Sequence, residues 1–171
     1  MKPILITAMC LLLAACGGAG TGGLSPIAAQ ADIDRFGIDV LPVDPVQDAS
    51  FGNILNDLRI DIGGNEVTYD ARLDAAAQAH ADDMLARGYF NHTNPEGETE
   101  RDRIQAQGYN PSSWGENLAR SQPSEADVLV AWINSPEHNR LLRAGTVDEF
   151  GLGVAGSGAD RHWVLVMARE R

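Results

Sequence analysis

Three side chains in the second half of the sequence are of types that could share one chemical site. His92 lies in Tyr-Phe-Asn-His-Thr, Glu116 in Trp-Gly-Glu-Asn, and His138 in Ser-Pro-Glu-His-Asn. Neutral imidazoles suit zinc and similar metals, and a carboxylate can complete such a site directly or through water. The three residues therefore predict a weak, open site for a divalent metal such as zinc. The alternative is a hydrogen-bonded cluster in which Glu116 accepts from both imidazoles and ties loops to a sheet.

The sequence assigns no catalytic residue. A nucleophilic serine needs a base within hydrogen-bond distance and an oxyanion hole. Ser135 precedes His138 by three residues, which one helical turn could bring together, but Ser-Pro at this point is better explained as the cap and start of a helix. The remaining candidates are interpreted as structural, either as buried side chains or as backbone supports: His80, Tyr89, Phe90, Trp114, Asn117, Trp132 and Trp163.

Five helices are predicted in the chain from Phe51 onward. The clearest has apolar residues at helical spacing from Leu73 to Leu85, with Asp70 as its cap and Gly88 at its end. The other predicted helices run from Phe51 to Ile62, capped by Asp48 or Ser50 and stopped at Gly63-Gly64; from Thr99 to Gln107; from Ser124 to about Ser135; and from Pro136 to Leu142.

The C-terminal part changes to the period of strands. Residues 150–155 and 162–168 predict a β-hairpin around a glycine-containing turn, and a third strand is expected near Asn117 to Arg120. The last strand is apolar on both faces, so both faces should be covered. We predict an α+β fold, a three-layer α-β-α sandwich with a small antiparallel sheet between helices.

The N-terminus has the pattern of an export signal. Lys2 precedes a short apolar run, which is too short to span a bilayer. Leu13-Ala14-Ala15-Cys16 resembles the bacterial lipobox, in which the cysteine is acylated, for example with palmitate, and becomes the new N-terminus. We predict a signal peptide over residues 1–15, a lipidated Cys16 with a flexible linker over 16–50, and one domain over 51–171 that folds alone.

Charge and cysteine content restrict the function further. The chain carries a formal charge of −11, and loss of the signal peptide with Lys2 would make it more negative, which disfavours binding to nucleic acid. Cys10 lies in the signal and Cys16 is assigned to lipid, so no disulfide is expected.

Several segments taken together resemble the CAP superfamily, also called SCP-like, which includes cysteine-rich secretory proteins, antigen five and pathogenesis-related proteins. The matching segments cover nearly all of residues 51–171 and occur in the family's order: Leu55 to Arg59, Leu73 to Met84, Tyr89 to Thr93, Arg103 to Tyr109, Gly115 to Asn117, Trp132 to Leu142 and Gly151 to Val154. The chain is identified as a bacterial member by this resemblance.

The resemblance implies a central cleft lined by two histidines and two acidic residues. Three positions carry over as His92, Glu116 and His138. Where eukaryotic members have a glutamate shortly after the tryptophan, Trp132 is followed at the matching place by Ser135, with Glu137 nearby. The fourth position therefore departs from the pattern of the family.

These features predict a lipid-anchored extracytoplasmic CAP/SCP protein that acts as a ligand- or metal-binding module. Its partners would be the membrane, through the lipid, and a lipid, glycan or small molecule in the cleft; we expect a monomer. The alternatives are a metal-dependent, peptidase-like hydrolase and a structural envelope protein. Because Gly17 and not aspartate follows Cys16, we expect the outer membrane in a cell with two membranes, by analogy with lipoprotein sorting.

Acylation of Cys16 can be tested by metabolic labelling. Radiolabelled fatty acid should enter the wild-type protein and should not enter Cys16→Ala, because that variant lacks the only thiol that the lipobox presents. Cys10→Ala is the matched control and should label normally. Equal labelling of wild type and Cys16→Ala would contradict the predicted anchor.

Overall fold

A computed structural model describes residues 48–171 of the chain. The predicted signal peptide, Cys16 and nearly all of the linker lie outside the described residues. The helices are α1 (Asp48–Asp61), α2 (Ala71–Arg87), α3 (Glu100–Ala106), α4 (Glu125–Asn134) and α5 (Pro136–Leu142). The strands are β1 (Thr68–Tyr69), β2 (Pro111–Arg120), β3 (Glu149–Ala155) and β4 (His162–Glu170), with a short 3-10 turn at Gly158–Asp160.

The capping residues that the sequence predicted start three of these helices. Asp70 accepts hydrogen bonds from the backbone of Arg72 and Leu73 at the start of α2. Thr99 forms a capping box with Asp102 at the start of α3. These side chains satisfy backbone N–H groups that have no partner inside the helix, which explains why the boundaries could be predicted.

The predicted cap of α4 and the predicted end of α2 are confirmed, whereas the predicted cap of α1 is not. Ser124 caps α4 by accepting from the backbone of Asp127, and Gly88 ends α2 in the left-handed conformation with φ of 70°. The expectation that Asp48 or Ser50 caps α1 was wrong, because α1 includes both residues. The Ser50 hydroxyl instead donates to Glu125 of α4 at 3.1 Å.

The sheet has four strands in the order β1-β3-β4-β2. The predicted hairpin of β3 and β4 is present, and β2 pairs antiparallel with β4 as the third strand. Two features differ from the prediction. Strand β1 pairs parallel with β3, which makes the sheet mixed. It was not predicted because its two residues are too few to show the alternation of a strand. Strand β2 also begins at Pro111 rather than near Asn117, because an edge strand tolerates the proline and glycine that read as a turn.

Both faces of the sheet are covered, which confirms the three-layer α+β architecture. Alternate residues of β4 enter two separate hydrophobic clusters. One cluster contains Trp163, Leu165 and Met167 with side chains of α1, α4 and α5. The other contains Val164, Val166 and Ala168 with side chains of α2 and α3. This alternation follows from the two-residue period of a strand, and it explains why β4 is apolar throughout.

Two glycines in β3 allow α2 to approach the sheet closely. A Cβ atom at Gly151 would lie 2.0 Å from the backbone nitrogen of Asp74, and one at Gly153 would lie 2.3 Å from the carbonyl carbon of Ala77. Because the obstructing atoms are backbone, α2 would have to move away to accept a side chain. The glycine-x-glycine pattern of this strand is thus a packing requirement.

Alanine at Gly153 should be strongly destabilising, by roughly 1–3 kcal/mol or more, because overpacking forces the backbone to shift. The measurement is chemical denaturation of the purified protein. Gly145→Ala is the matched control, since nothing lies within 4 Å of a Cβ atom there and its φ is not positive. An equal midpoint for Gly153→Ala and wild type would contradict this account of the α2–β3 contact.

Candidate functional site

The candidate site is built around a buried ion pair. Glu116 lies on β2 with a side chain 1% exposed, and Arg103 lies on α3 with a side chain 7% exposed. Arg103 Nη2 donates to Glu116 Oε2 at 2.8 Å and to the carbonyl of His92 at 2.9 Å, while Nη1 donates to the carbonyl of Glu98 at 3.2 Å. One guanidinium therefore joins the edge strand to the loop between α2 and α3.

His92 sits on that loop and is oriented by the same carboxylate. Its Nδ1 lies 2.8 Å from Glu116 Oε1, and because a carboxylate can only accept, Nδ1 carries the proton. The hydrogen bond to Glu116 raises the pKa of His92, although burial acts in the opposite direction. The side chain remains 51% exposed, so Glu116 fixes an imidazole that solvent can still reach.

His138 reaches the site from the other face of the sheet. Successive residues of a strand point to opposite faces, so Glu116 points toward α2 and α3 while Asn117 points toward α5. The Asn117 amide donates to the carbonyl of His138 at 3.1 Å, and His138 Nδ1 lies 2.8 Å from Ser135 Oγ. Burial lowers the pKa of His138, and the charge of His92 lowers it further.

His80 is a further side chain near Glu116, and its predicted burial is confirmed. It lies on α2, is 1% exposed, and its Nε2 donates to the carbonyl of Asn91 at 2.9 Å. The same nitrogen is 3.9 Å from Glu116 Oε1. Burial lowers the pKa of His80 more than the neighbouring carboxylate raises it, so the ring is held neutral.

The structure places the predicted site residues in two groups rather than one. Glu116 accepts from His92 as expected, but its second partner is Arg103 and not His138. At the position where the family pattern departs, the Ser135 hydroxyl contacts the His138 ring. Ser135 is the N-cap residue of α5 and Pro136 its first residue, as predicted, but the Ser135 side chain makes no capping hydrogen bond.

The donor set does not fit a three-ligand metal site in this arrangement. Each Glu116 oxygen is engaged by a hydrogen-bond donor, and the strand alternation holds Glu116 and His138 on opposite faces. Among residues 48–171 there is no group of three or more His, Cys, Asp or Glu side chains placed to hold a metal ion.

Arg103 is the functional residue that sequence reasoning missed. The sequence gives some indication of its burial, because Arg103 is next to Ile104 on a seven-residue helix that has little other apolar surface to bury. A charged residue at a buried helix position requires a partner. The partner could not be identified, since several acidic residues were available and the fold had to select Glu116.

Two of the three tryptophans are core residues as expected, and one aromatic is not. Trp132 and Trp163 are 1% and 0% exposed and donate to backbone carbonyls of Leu118 and Gln122. Trp114 is partly buried, and Phe90 is 45% exposed, so the core interpretation of Phe90 was wrong. Its ring centroid lies 6.0 Å from that of His162.

A comparison with family models identifies the family of the chain. The model of the CAP family, described as the Cysteine-rich secretory protein family, matches residues 53–167. The chain belongs to the CAP family. The match includes His92, Arg103, Glu116 and His138, so the candidate site lies wholly inside the CAP domain.

Individual relatives share the domain at low identity. The chain is 30% identical over 90 residues to YkwD of Bacillus subtilis, a protein named as uncharacterized, and the match spans 53% of this chain and 35% of YkwD. A solved extracellular SCP-domain protein of Bacillus anthracis has a TM-score of 0.66 at 22% identity, covering 88% of this chain and 45% of that one. An outer surface protein of Borrelia burgdorferi has the same TM-score at 23% identity, covering 78% and 100%. The structural likenesses show the fold.

Replacing Arg103 alone should lower the free energy of unfolding more than replacing both Arg103 and Glu116 with uncharged residues. Arg103→Met leaves the Glu116 carboxylate buried without its partner and should lower the free energy of unfolding by about 3–5 kcal/mol. The double variant Arg103→Met with Glu116→Gln should be more stable than Arg103→Met alone. Chemical denaturation at neutral pH measures both.

The matched control is Arg120→Met. Its partner Asp160 forms an exposed ion pair at 2.9 Å, with side chains 49% and 70% exposed, so the cost should stay below about 1 kcal/mol. A double variant no more stable than Arg103→Met would show that Glu116 is not charged or not desolvated in the folded protein.

Proposed function

We propose that this CAP domain is an exported, lipid-anchored binding module whose ligand is held by His92 and His138 at the edge of β2. The observation that carries the proposal is the burial of Glu116 together with the hydrogen bonds to both of its carboxylate oxygens. Its carboxylate is 1% exposed and both oxygens accept hydrogen bonds, from His92 and from Arg103. A carboxylate so engaged is suited to supporting a binding imidazole and poorly suited to serving as a free general base.

The two imidazoles offer complementary hydrogen-bonding groups to a ligand. In each ring Nδ1 has a protein partner, which leaves Nε2 for a ligand among the contacts of the described residues. His138 has a lowered pKa and is neutral, so its ring carries one donor and one acceptor; His92 has a raised pKa and is the better donor. A hydroxyl-rich ligand can both donate and accept, and it satisfies this pair.

Net charge narrows the class of ligand. The chain carries a formal charge of −11, which disfavours polyanionic ligands such as nucleic acid. Neutral glycans of the cell envelope are both hydroxyl-rich and near a protein anchored by Cys16. We therefore infer a neutral glycan as the ligand, in preference to a free lipid.

Export is supported by two independent features. The N-terminal pattern resembles a lipobox at Cys16, and solved CAP-fold relatives are named as extracellular or outer surface proteins. Residues 48–171 contain no helix that could cross a bilayer. With Gly17 following Cys16, we infer residence at the outer membrane in a cell with two membranes. Anchoring places the domain outside the cytoplasm, next to the envelope glycans.

Titration with a neutral oligosaccharide of N-acetylglucosamine tests the proposed binding. We expect saturable chemical-shift changes at the His92 and His138 imidazoles of the purified protein. The affinity for the oligosaccharide should fall about tenfold or more in His138→Ala, because the hydrogen bond between the imidazole and the ligand is lost. Arg140→Ala, an exposed change on the same helix, should leave the affinity unchanged. Absence of saturable binding to the wild-type protein would contradict the glycan proposal.

A metal-dependent hydrolase is the second candidate, since imidazole nitrogens of His92 and His138 would suit zinc together with a further ligand. Zinc bound to both should raise the midpoint of thermal unfolding as the zinc concentration rises. The rise should fade as the pH falls, first through the raised pKa of His92 and then through the lowered pKa of His138, because a protonated imidazole cannot bind zinc. A rise that is lost in both His92→Ala and His138→Ala, together with zinc-dependent cleavage of a peptide substrate, would replace the binding-module proposal by the hydrolase.

A further inference from the structure

Phe90 is a large apolar side chain that the fold holds at the surface. It is 45% exposed, although aromatic rings contribute most to stability when they are buried. The residues on either side of it are anchored to α2. The Tyr89 hydroxyl donates to Asp83 Oδ2 at 2.5 Å, and the carbonyl of Asn91 accepts from His80 Nε2 at 2.9 Å. The position of Phe90 is therefore fixed by an anchored segment of the loop.

The Phe90 ring lies beside a buried imidazole that has a spare hydrogen-bond acceptor. Its centroid is 6.0 Å from that of His162, which is 3% exposed. His162 Nδ1 lies 2.8 Å from the carbonyl oxygen of Asp160, and because a carbonyl only accepts, Nδ1 carries the proton. In the neutral ring Nε2 is then an acceptor, and no donor among residues 48–171 bonds to it. Since an imidazole is small, Nε2 is close to the Phe90 ring in either orientation.

Phe90 extends the solvent-facing surface that His92 provides. The two residues are separated by one position, so their Cα atoms are at most about 7 Å apart. Both side chains are about half exposed, whereas Tyr89 packs against the hydrophobic cluster on the α2 side of the sheet. An imidazole and a benzene ring are thus presented together on the outer side of one loop.

The two side chains lie at different points along β2. His92 is fixed at Glu116, whereas Phe90 contacts His162, whose partner in the sheet is Arg120, four residues further along β2. The surface formed by His92 and Phe90 therefore follows the direction of the edge strand. An elongated surface of this kind suits a chain of linked units better than a single small molecule.

Trp114 is the aromatic residue on the other side of Glu116, and it does not offer a comparable free surface. The guanidinium of Arg101 lies over its ring, 4.8 Å from the centroid. Its Nε1 donates to Glu100 at 3.3 Å, and the ring also packs against the α2-side cluster. The aromatic surface available next to His92 is therefore that of Phe90.

We propose that Phe90 stacks against a sugar ring and forms a second subsite next to His92. The inference rests on the proposed binding of a neutral glycan and adds that the ligand is an oligosaccharide chain. The C–H groups on one face of a pyranose ring pack against an aromatic ring by dispersion and by removal of apolar surface from water. A hydroxyl at the rim of the same sugar can donate to His162 Nε2.

Titration with N-acetylglucosamine and with its tetrasaccharide tests the proposed subsite. In the wild-type protein both should shift the His92 and His138 imidazoles, and the tetrasaccharide should also shift the Phe90 ring protons. It should bind about tenfold more tightly than the monosaccharide, because it fills both subsites. Phe90→Ala should weaken tetrasaccharide binding about tenfold and leave monosaccharide binding at the imidazoles unchanged.

Two further substitutions separate stacking from simple burial of apolar surface. Phe90→Tyr keeps the flat ring and should bind the tetrasaccharide as wild type does. Phe90→Leu keeps an apolar side chain without a flat face and should bind as weakly as Phe90→Ala. Tyr69→Ala is the matched control, because Tyr69 is also 45% exposed and lies on β1 at the opposite edge of the sheet. It should bind both sugars normally.

Failure of this proposal can be told apart from failure of the proposed function. If the tetrasaccharide shifts the imidazoles but binds Phe90→Ala or Phe90→Leu as tightly as wild type, glycan binding stands and stacking on Phe90 is overturned. An equal loss in Tyr69→Ala overturns it as well. If neither sugar shifts the imidazoles of wild type, the glycan function and the subsite fail together. Thermal unfolding shows that each variant is folded; if Phe90→Ala is not, Phe90→Leu decides.

Discussion

The buried ion pair between Arg103 and Glu116 holds the candidate site together. Two charges have been removed from water, which is stabilising only when each is paired and hydrogen-bonded. Glu116 meets this requirement through Arg103 and His92, and Arg103 meets it through Glu116 and two backbone carbonyls. The pair thus fixes the loop that carries His92 against the sheet. Loss of either charge would release that loop as well as expose the other ion to a low-dielectric environment.

The location of Glu116 on an edge strand explains the form of the site. Strand β2 has a sheet neighbour on only one side, so groups from both faces can meet around its free edge. His92 arrives above that edge with α2 and α3, and His138 arrives below it with α5. Asn117 holds the backbone of α5 from the strand position next to Glu116. The two imidazoles are therefore held by neighbouring residues of one strand, on opposite faces, without sharing a carboxylate.

The same network shapes a pocket on the α2 side, which is lined in part by His80 and Arg103. His80 is held neutral by burial, and its Nε2 donates to the carbonyl of Asn91 on the loop that also carries His92. The charge of Arg103 is matched by Glu116.

Local signals in the sequence determined most of the secondary structure. Three helices are capped by side chains that bond to backbone N–H groups within a few residues, those of Asp70, Thr99 and Ser124, and Gly88 ends one helix. Because these interactions are local, their effect can be predicted without knowledge of the fold. The two-sided apolar pattern of β4 likewise requires cover on both faces. The sequence also brought His92, Glu116 and His138 to attention, and the resemblance of their motifs to the CAP family agreed with the family match over residues 53–167.

Tertiary structure alone decided which side chains of the site meet. The first half of β2 has the composition of a turn, and its proline is acceptable in a strand because β2 lies at the sheet edge, which is a property of the whole sheet. Once β2 is extended, the two-residue period sends Glu116 to one face and Asn117 to the other. That geometry assigns Arg103 rather than His138 to Glu116. Contacts between residues distant in sequence depend on strand order and layer, which no local pattern encodes.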